Sequence, residues 1–204
     1  MNGNVLTIGW IRHGVTDWNG LGKIQGTTDI PLNEEGIWQS RQLALRLAGE
    51  KRKWHGIVCS DLTRAVQTAE ILAENLGLPL IRDSRLRERH FGSAEGTTHE
   101  ERMARWGENW RRLVPDQESD ESVLARGMAF LREWEASHPG EAWLAVTHGS
   151  FIRRMLEALV PGLEDKYIRN VSLTLLEKRQ GRWIPLLHNC TEHLNESGNV
   201  RFGM

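Results

Sequence analysis

Residues 11–19 read IRHGVTDWN, and they close the apolar, partly β-branched run Val5–Ile11. A run of this kind, bounded by Gly14, predicts a short buried strand. A strand that ends in a cation, an imidazole and a glycine holds these groups on a rigid support beside an open loop. The stretch therefore predicts the first strand of a sheet and, at its end, a nucleophile, His13, positioned to meet an anion.

Strands and helices alternate along most of the chain after this stretch. Further strands are predicted at Gly56–Cys59, Leu80–Ile81 and Ala142–Thr147, and helices at about Glu34–Ala48, from Ser60 or Asp61 to Leu76, and at Ser150–Leu159. Asn33 is the expected N-cap of the first helix, Ser60 or Asp61 caps the second, and Gly77 ends it. This alternation predicts an α/β three-layer sandwich, with a mostly parallel central sheet flanked by helices.

Two segments depart from the alternation. Residues 97–137 have a helical but strongly charged pattern, in two stretches of about 97–113 and 119–137. We predict that they form a helical insert over the active site, within a single domain that spans residues 1–204.

Near the C-terminus, Val171–Leu176 and Trp183–Leu187 are predicted to pair as a hairpin. Pro185 would confine the second of these strands to a sheet edge, because proline cannot donate to a central ladder. The polar tail from Glu196 onward is expected to be loose.

Composition restricts the possible partners. The 204 residues carry 26 basic and 27 acidic side chains, a formal net charge of −1, which provides no overall attraction to nucleic acid or a membrane surface. No apolar run approaches the ~20 residues that span a bilayer. Cys59 and Cys190 lie far apart and are expected to be reduced thiols. We therefore expect a cytoplasmic protein that binds neither nucleic acid nor a membrane, and both a monomer and a homodimer are compatible with the sequence.

Reactive residue types recur at three predicted strand ends. Arg12 and His13 follow the first strand, Arg64 lies one helical turn beyond the second, and His148 follows the last. The carboxyl ends of parallel strands converge on one crevice, where Asn19 from the first loop would join them. Two arginines and two histidines favour a phosphoryl group, because a guanidinium binds phosphate oxygens bidentately and a neutral imidazole can attack phosphorus. Taken singly, each residue could equally have an ordinary structural role.

The motifs that contain these residues resemble those of the histidine phosphatase superfamily, the phosphoglycerate mutase-like group. The resemblance extends in order from about residue 6 to residue 194. Its motifs are RHGxTxWN at 12–19, QG at 25–26, DxPLxxxG at 29–36, SDLxRAxQTA at 60–69, LRExxFGxxEG at 86–96, VTHG at 146–149 and NxTxHL at 189–194. The last of these motifs, at 189–194, resembles the one found in the phosphatase branch of the superfamily.

The resemblance implies a role for each matched residue. His13 would become phosphorylated, and Glu88 would donate a proton to the leaving alcohol and later accept one from water. The residues implied in binding the phosphoryl group are Arg12, Asn19, Gln25, Gly26, Arg64, His148 and Gly149. It implies no metal and no cofactor, since arginine and histidine supply the positive charge. Val15 stands where many members have Glu, and His90 lies beside the implied acid, most simply as a residue of the pocket rim.

Three functions are compatible with the sequence. We expect a phosphatase acting on a small phosphomonoester. A cofactor-dependent phosphoglycerate mutase is the first alternative, but the segment 96–142 contains no lysine and only one basic pair, Arg111-Arg112. Trp106 and Trp110, spaced i, i+4, either pack on the core or cover the pocket. A non-catalytic module that binds a phospho-ligand or a partner is the second alternative.

Overall fold

The computed structural model describes residues 5–163 and 167–195. Six strands form one sheet in the order β3-β2-β4-β1-β5-β6. They are β1 (Thr7–Arg12), β2 (Gly56–Cys59), β3 (Leu80–Arg82), β4 (Ala142–Thr147), β5 (Leu173–Arg179) and β6 (Arg182–Cys190). The first four run parallel, while β5 and β6 are antiparallel additions at one side. The predicted mostly parallel sheet is confirmed.

Helices cover both faces of this sheet. They are α1 (Asp17–Gly20), α2 (Glu34–Gly49), α3 (Thr63–Leu76), α4 (His99–Trp106), α5 (Trp110–Leu113), α6 (Asp120–Ser137) and α7 (Gly149–Leu159). Side chains alternate along β1, so that Ile8 and Trp10 pack with α6 and α7 in one core cluster. Ile11 packs with α2 and α3 in a second cluster on the opposite face. The predicted three-layer sandwich is thereby confirmed.

The ends of α2 and α3 test the predicted caps. Asn33 caps α2, its side-chain oxygen accepting from the amide of Gly36 at 3.0 Å, and Gly77 ends α3 with a φ of 64°. The predicted cap of α3 by Ser60 or Asp61 is wrong. The Asp61 carboxylate accepts from Arg87 at 2.7 Å, and the Ser60 hydroxyl accepts from the amide of Leu62, which precedes the helix. The carboxylate of Asp29, from the preceding loop, instead accepts from the amide of Thr63 at 2.7 Å, at the first residue of α3.

The segment 97–137 is not uniformly a cover over the pocket. Its first stretch divides into α4 and α5 at Gly107, which has a φ of 69°. The second stretch is α6, whose buried Phe130 and Trp134 recur at helical spacing and pack in the core cluster with α7. Thus α6 belongs to a helical layer of the sandwich because its apolar stripe faces the sheet.

The predicted hairpin is present as β5 and β6, with Pro185 in the edge strand β6. The tail from Glu196 lies outside the described residues. The prediction of one domain over residues 1–204 includes these and other residues outside the described ranges, so it stays a prediction. No helix within residues 5–163 and 167–195 is long and apolar enough to cross a membrane.

Candidate active site

A pocket of about 390 Å³ opens at the carboxyl end of β1. Parallel pairing puts Arg12 opposite Thr147 of β4, and the amide of His13 extends the ladder by donating to the Thr147 carbonyl at 2.9 Å. The pocket is lined by eight of the nine residues predicted for the site, namely Arg12, His13, Asn19, Gln25, Gly26, Arg64, Glu88 and Gly149. The ninth, His148, is fully buried beside His13, with 5.2 Å between the ring centroids.

His13 has one ring nitrogen engaged by the backbone. Its Nδ1 lies 2.7 Å from the carbonyl oxygen of Gly14, which can only accept. The Nδ1 atom therefore carries the proton, and Nε2 presents a lone pair. Burial, together with Arg64 and Arg12, holds the pKa of His13 well below the ordinary value near 6.5. The imidazole is thus neutral at pH 7, with its lone pair on Nε2.

Arg64 connects this nitrogen to the loop that follows α1. Its Nε donates to His13 Nε2 at 3.3 Å, and its two terminal nitrogens donate to the carbonyls of Gly26 at 2.6 Å and Thr28 at 2.9 Å. The side chain is completely buried, and burial lowers its pKa to about 10, so it remains a cation at pH 7. The position of the guanidinium is therefore set by the loop carbonyls.

The loop itself is held by Glu95. The Glu95 carboxylate accepts from the amides of Thr27 and Thr28 at 3.0 and 2.9 Å and from the amide of Phe91 at 3.0 Å. A Cβ on Gly26 would lie 2.0 Å from the same carboxylate, so only glycine fits there. Glu95 lies in the motif at 86–96, but the residue pattern alone does not indicate that it supports Arg64.

Arg12 and Gly149 meet on the opposite wall. Arg12 Nη1 donates to the Ile168 carbonyl at 2.7 Å, and the guanidinium lies 5.0 Å from the ring centroid of Tyr167. Its buried Nε has no hydrogen-bond partner among the described residues. A Cβ on Gly149 would approach that Nε to 3.3 Å. The glycine therefore leaves room for Arg12 and for an anion against it.

Glu88 reaches the pocket from the loop before α4. One carboxylate oxygen accepts from the amides of Arg89 at 2.8 Å and Phe151 at 3.1 Å, and the other from the amide of Ser150 at 3.1 Å. Ser150 and Phe151 lie in the first turn of α7, whose amides are free to bind a carboxylate. These bonds fix the carboxyl in the wall of the cavity that contains His13.

Asn19 and Gln25 occupy the loop side of the pocket. The Oδ1 of Asn19 accepts from the Thr16 amide at 3.0 Å within the cap of α1, which leaves its amide NH₂ as the group available to a ligand. Gln25 is buried, and its Oε1 has no partner among the described residues. Asn170, which is not among the residues predicted from the sequence, donates to the His13 carbonyl at 2.9 Å and so holds the backbone at His13.

Three arginines lie at the outer part of the same pocket. Arg89, Arg111 and Arg153 line it, from the Glu88 loop, α5 and α7. Desolvation, then the charges of Arg153 and Arg89, lowers the pKa of Arg111. Arg111 lies over the ring of Trp110 at 4.3 Å and has no ion pair with a described residue. We call Arg89, Arg111 and Arg153 the outer arginines.

Arg153 is not among the site residues predicted from the sequence. Its position one helical turn after Gly149 is a signal in the sequence that it could reach the same pocket. Other residues singled out from the sequence lie away from the pocket lining. His90 is exposed, with Nδ1 3.2 Å from the carbonyl of Asp116. Trp106 and Trp110 lie in different helices, and Trp110 is buried against Phe91. They therefore pack in a small core and do not cover the pocket.

A family model agrees with this arrangement over most of the chain. The model of the histidine phosphatase superfamily (branch 1) matches residues 8–191. The chain belongs to this superfamily. It is 37% identical over 191 residues to an uncharacterized phosphatase, PhoE, of Bacillus subtilis, covering 91% of this chain and 95% of that protein.

Two further relatives carry more specific names. A metal-independent phosphoserine phosphatase of Arabidopsis thaliana is 31% identical over 209 residues, covering 98% of this chain and 87% of that one. A mycobacterial glucosyl-3-phosphoglycerate phosphatase, solved in complex with VO₃, is 31% identical, with a TM-score of 0.81 and coverage of 90% and 99%. The predicted membership of the superfamily is confirmed, and these relatives are named as phosphatases.

Proposed function

We propose that this protein is a phosphomonoester hydrolase that works through a phosphohistidine intermediate on His13. The observation that carries the proposal is the setting of the His13 ring: Nδ1 lies 2.7 Å from the Gly14 carbonyl oxygen, and Nε2 lies 3.3 Å from Arg64 Nε. The carbonyl can only accept, so the proton is assigned to Nδ1 and the lone pair to Nε2. A nucleophile with a defined lone pair beside a phosphate-binding cation is the arrangement that phosphoryl transfer requires.

In the first step the Arg64 Nε–H exchanges its hydrogen bond to His13 Nε2 for one to a phosphoryl oxygen, and the freed Nε2 lone pair attacks phosphorus as the ester P–O bond breaks. Arg12 and Arg64 bind the equatorial oxygens, whose charge must be stabilised in the transition state. Glu88, as the carboxylic acid, gives its proton to the leaving alcohol. Water then attacks the phosphohistidine and gives a proton to the Glu88 carboxylate. Inorganic phosphate leaves, and both His13 and Glu88 return to their starting forms.

The outer arginines support a proposal about the leaving group. Arg89 pairs with Asp120 at 2.6 Å and Arg153 lies 3.9 Å from Glu157, whereas Arg111 has no carboxylate partner among the described residues. Arg111 is therefore the cation of this group that an anion on the substrate would satisfy best. We expect a leaving alcohol that carries a second negative charge, such as a carboxylate. The relatives named for phosphoserine and glucosyl-3-phosphoglycerate have substrates of this chemical class.

The decisive test is hydrolysis of p-nitrophenyl phosphate and of a panel of phosphorylated metabolites by wild type and by His13→Ala. We expect turnover by wild type, none by His13→Ala, and an acid-labile phosphoenzyme in rapidly quenched wild type. Binding of inorganic phosphate with no turnover of any panel member would instead support the non-catalytic module.

The mutase alternative is tested separately. A mutase would interconvert 3-phosphoglycerate and 2-phosphoglycerate and would be stimulated by the bisphosphate. We expect release of inorganic phosphate and no interconversion, since the segment 96–142 contains no lysine to add to Arg111 and Arg112. Interconversion faster than hydrolysis in a coupled assay would replace the hydrolase proposal.

A further inference from the structure

Ser60 lies at the end of β2, where its hydroxyl meets His148. The Ser60 Oγ is 2.8 Å from His148 Nε2 and accepts from the amide of Leu62 at 3.3 Å. Both Ser60 and His148 are completely buried. Within residues 5–163 and 167–195, His148 and the Leu62 amide are the hydrogen-bond partners of the Ser60 hydroxyl.

The proton of the Ser60 hydroxyl has a single available acceptor among these partners. A buried hydroxyl is expected to satisfy its donor, and an amide N–H, such as that of Leu62, offers no lone pair. His148 Nε2 is therefore the acceptor of the Ser60 proton and carries no proton of its own. Burial, then Arg64, His13 and Arg12, hold the pKa of His148 well below 6.5, so the ring is neutral and has a single N–H. That N–H must be on Nδ1.

The Nδ1 atom of His148 is buried without a hydrogen-bond partner among the described residues. It belongs to the ring whose centroid lies 5.2 Å from that of His13. The two histidines thus have complementary tautomers. His13 keeps its proton on Nδ1 toward a backbone carbonyl and offers a lone pair, whereas His148 accepts at Nε2 and offers a proton.

We propose that Ser60 is a positioning residue that selects the Nδ1–H tautomer of His148, so that this histidine donates a hydrogen bond to the phosphoryl group that His13 attacks. The tautomer assignment stands without the proposed function, and the expected effect on catalysis rests on that function. Without the Ser60 hydroxyl, His148 can place its proton on Nε2, and Nδ1 would then present a lone pair to an anion. Such a ring would repel the phosphoryl oxygens that it is meant to stabilise.

The tautomer is measured directly in protein labelled with ¹⁵N-histidine, without ligand, at pH 7.5. Long-range ¹H–¹⁵N spectra distinguish the protonated ring nitrogen from the bare one, and comparison with His148→Gln assigns the signals. We expect wild type to hold the proton on Nδ1, Ser60→Ala to lose that single tautomer, and Ser60→Thr, which keeps a hydroxyl, to retain it. A proton on Nε2 in wild type, or an unchanged tautomer in Ser60→Ala, would overturn the proposal.

Kinetics provide the second readout. Ser60→Ala should lower kcat/KM for p-nitrophenyl phosphate about tenfold and weaken inhibition by inorganic phosphate to a similar degree. Ser40→Ala is the matched control, because Ser40 is equally buried and donates to the Gly36 carbonyl at 2.7 Å on α2. Wild type without phosphatase activity but with the Nδ1 proton would refute the proposed function and leave the assignment of Ser60 standing.

Discussion

The Nε atom of Arg64 lies 3.3 Å from Nε2 of His13. The same guanidinium is held by two loop carbonyls, those of Gly26 and Thr28, so its plane is set before any substrate contact. One side chain therefore links His13 at the end of β1 to the loop at the pocket's edge. In the proposed mechanism, phosphate binding and attack by His13 both involve this guanidinium, whose position the loop carbonyls set.

Replacing Arg64 by lysine should preserve the charge and remove the fork. A lysine ammonium cannot satisfy two carbonyls and the nucleophile in this fixed geometry. We expect kcat/KM for p-nitrophenyl phosphate to fall about 10²–10³-fold, the cost of losing charged hydrogen bonds aimed at the transition state. Arg41→Lys, at an exposed position on α2, is the control and should match wild type. A loss of less than about threefold in folded Arg64→Lys would show that charge alone suffices.

Stability should fall as the pH drops below the ordinary histidine pKa. Buried His13, His148 and His193 have lowered pKa values, that of His193 being about 4 because of burial and Arg46. In the unfolded chain these rings bind protons near pH 6.5, whereas in the folded chain they do not. The unfolded state therefore binds more protons, and the free energy of unfolding decreases from about pH 6.5 toward the folded pKa.

Urea denaturation at several pH values between about 7.5 and 5 measures this slope without interference from carboxylates, which titrate lower. His193→Gln should give a shallower decline than wild type. His99→Gln changes an exposed histidine of α4 and should leave the slope unaltered. A wild-type denaturation midpoint that is flat from pH 7 to 5 would contradict the buried neutral histidines.

Glu88→Gln should separate substrates by the quality of their leaving group. An alkyl alcohol needs a proton as the ester bond breaks, whereas p-nitrophenolate does not. We expect a loss of about 10²–10⁴-fold for an alkyl phosphate and a much smaller loss for p-nitrophenyl phosphate. Equal losses for both would mean that Glu88 acts in binding and not as the acid.

Glu88→Gln is also expected to lower the free energy of unfolding, and this loss must be measured together with the kinetics. The Glu88 carboxylate accepts from three amides, those of Arg89, Ser150 and Phe151. A glutamine would turn an NH₂ group toward at least one of them, which should destabilise the fold by about 1–3 kcal/mol. Urea denaturation of the variant shows whether the kinetic loss reflects chemistry or a displaced α7 terminus.

Much of the fold could be predicted because each signal was local. The β-branched run before Arg12 and the stop at Gly77 depend on neighbours a few residues away. The cap of α3 could not be predicted, since Asp29 reaches Thr63 from a distant loop. The place of α6 in the core was not predicted either, because the high charge of the segment 97–137 obscured the apolar stripe that includes Phe130 and Trp134.

The predicted site residues met in one pocket because parallel strands end at the same edge. The residues that hold these site residues in place could not be predicted from the sequence. Glu95 binds amides of the loop under Arg64, and Asn170 braces His13 through a carbonyl. Both act through tertiary contacts, for which spacing along the chain carries no signal.

The outer arginines lead to a prediction about substrate choice. Arg111 and its neighbour Arg112 are both exposed, but Arg111 lines the pocket and Arg112 does not. Arg111→Ala should therefore raise KM for a carboxylated substrate such as phosphoserine by about tenfold, the worth of one charged hydrogen bond. Its KM for p-nitrophenyl phosphate, which has no second charge on the leaving group, should change little.

Arg112→Ala removes the same charge from the adjacent position and serves as the matched control, expected to resemble wild type with both substrates. The comparison separates a specific contact from a general loss of positive potential at the pocket mouth, which both variants would share. Parallel increases in KM for phosphoserine in Arg111→Ala and Arg112→Ala would favour the general field. An increase confined to Arg111→Ala would support the outer arginines as the site for the second charge of the leaving group.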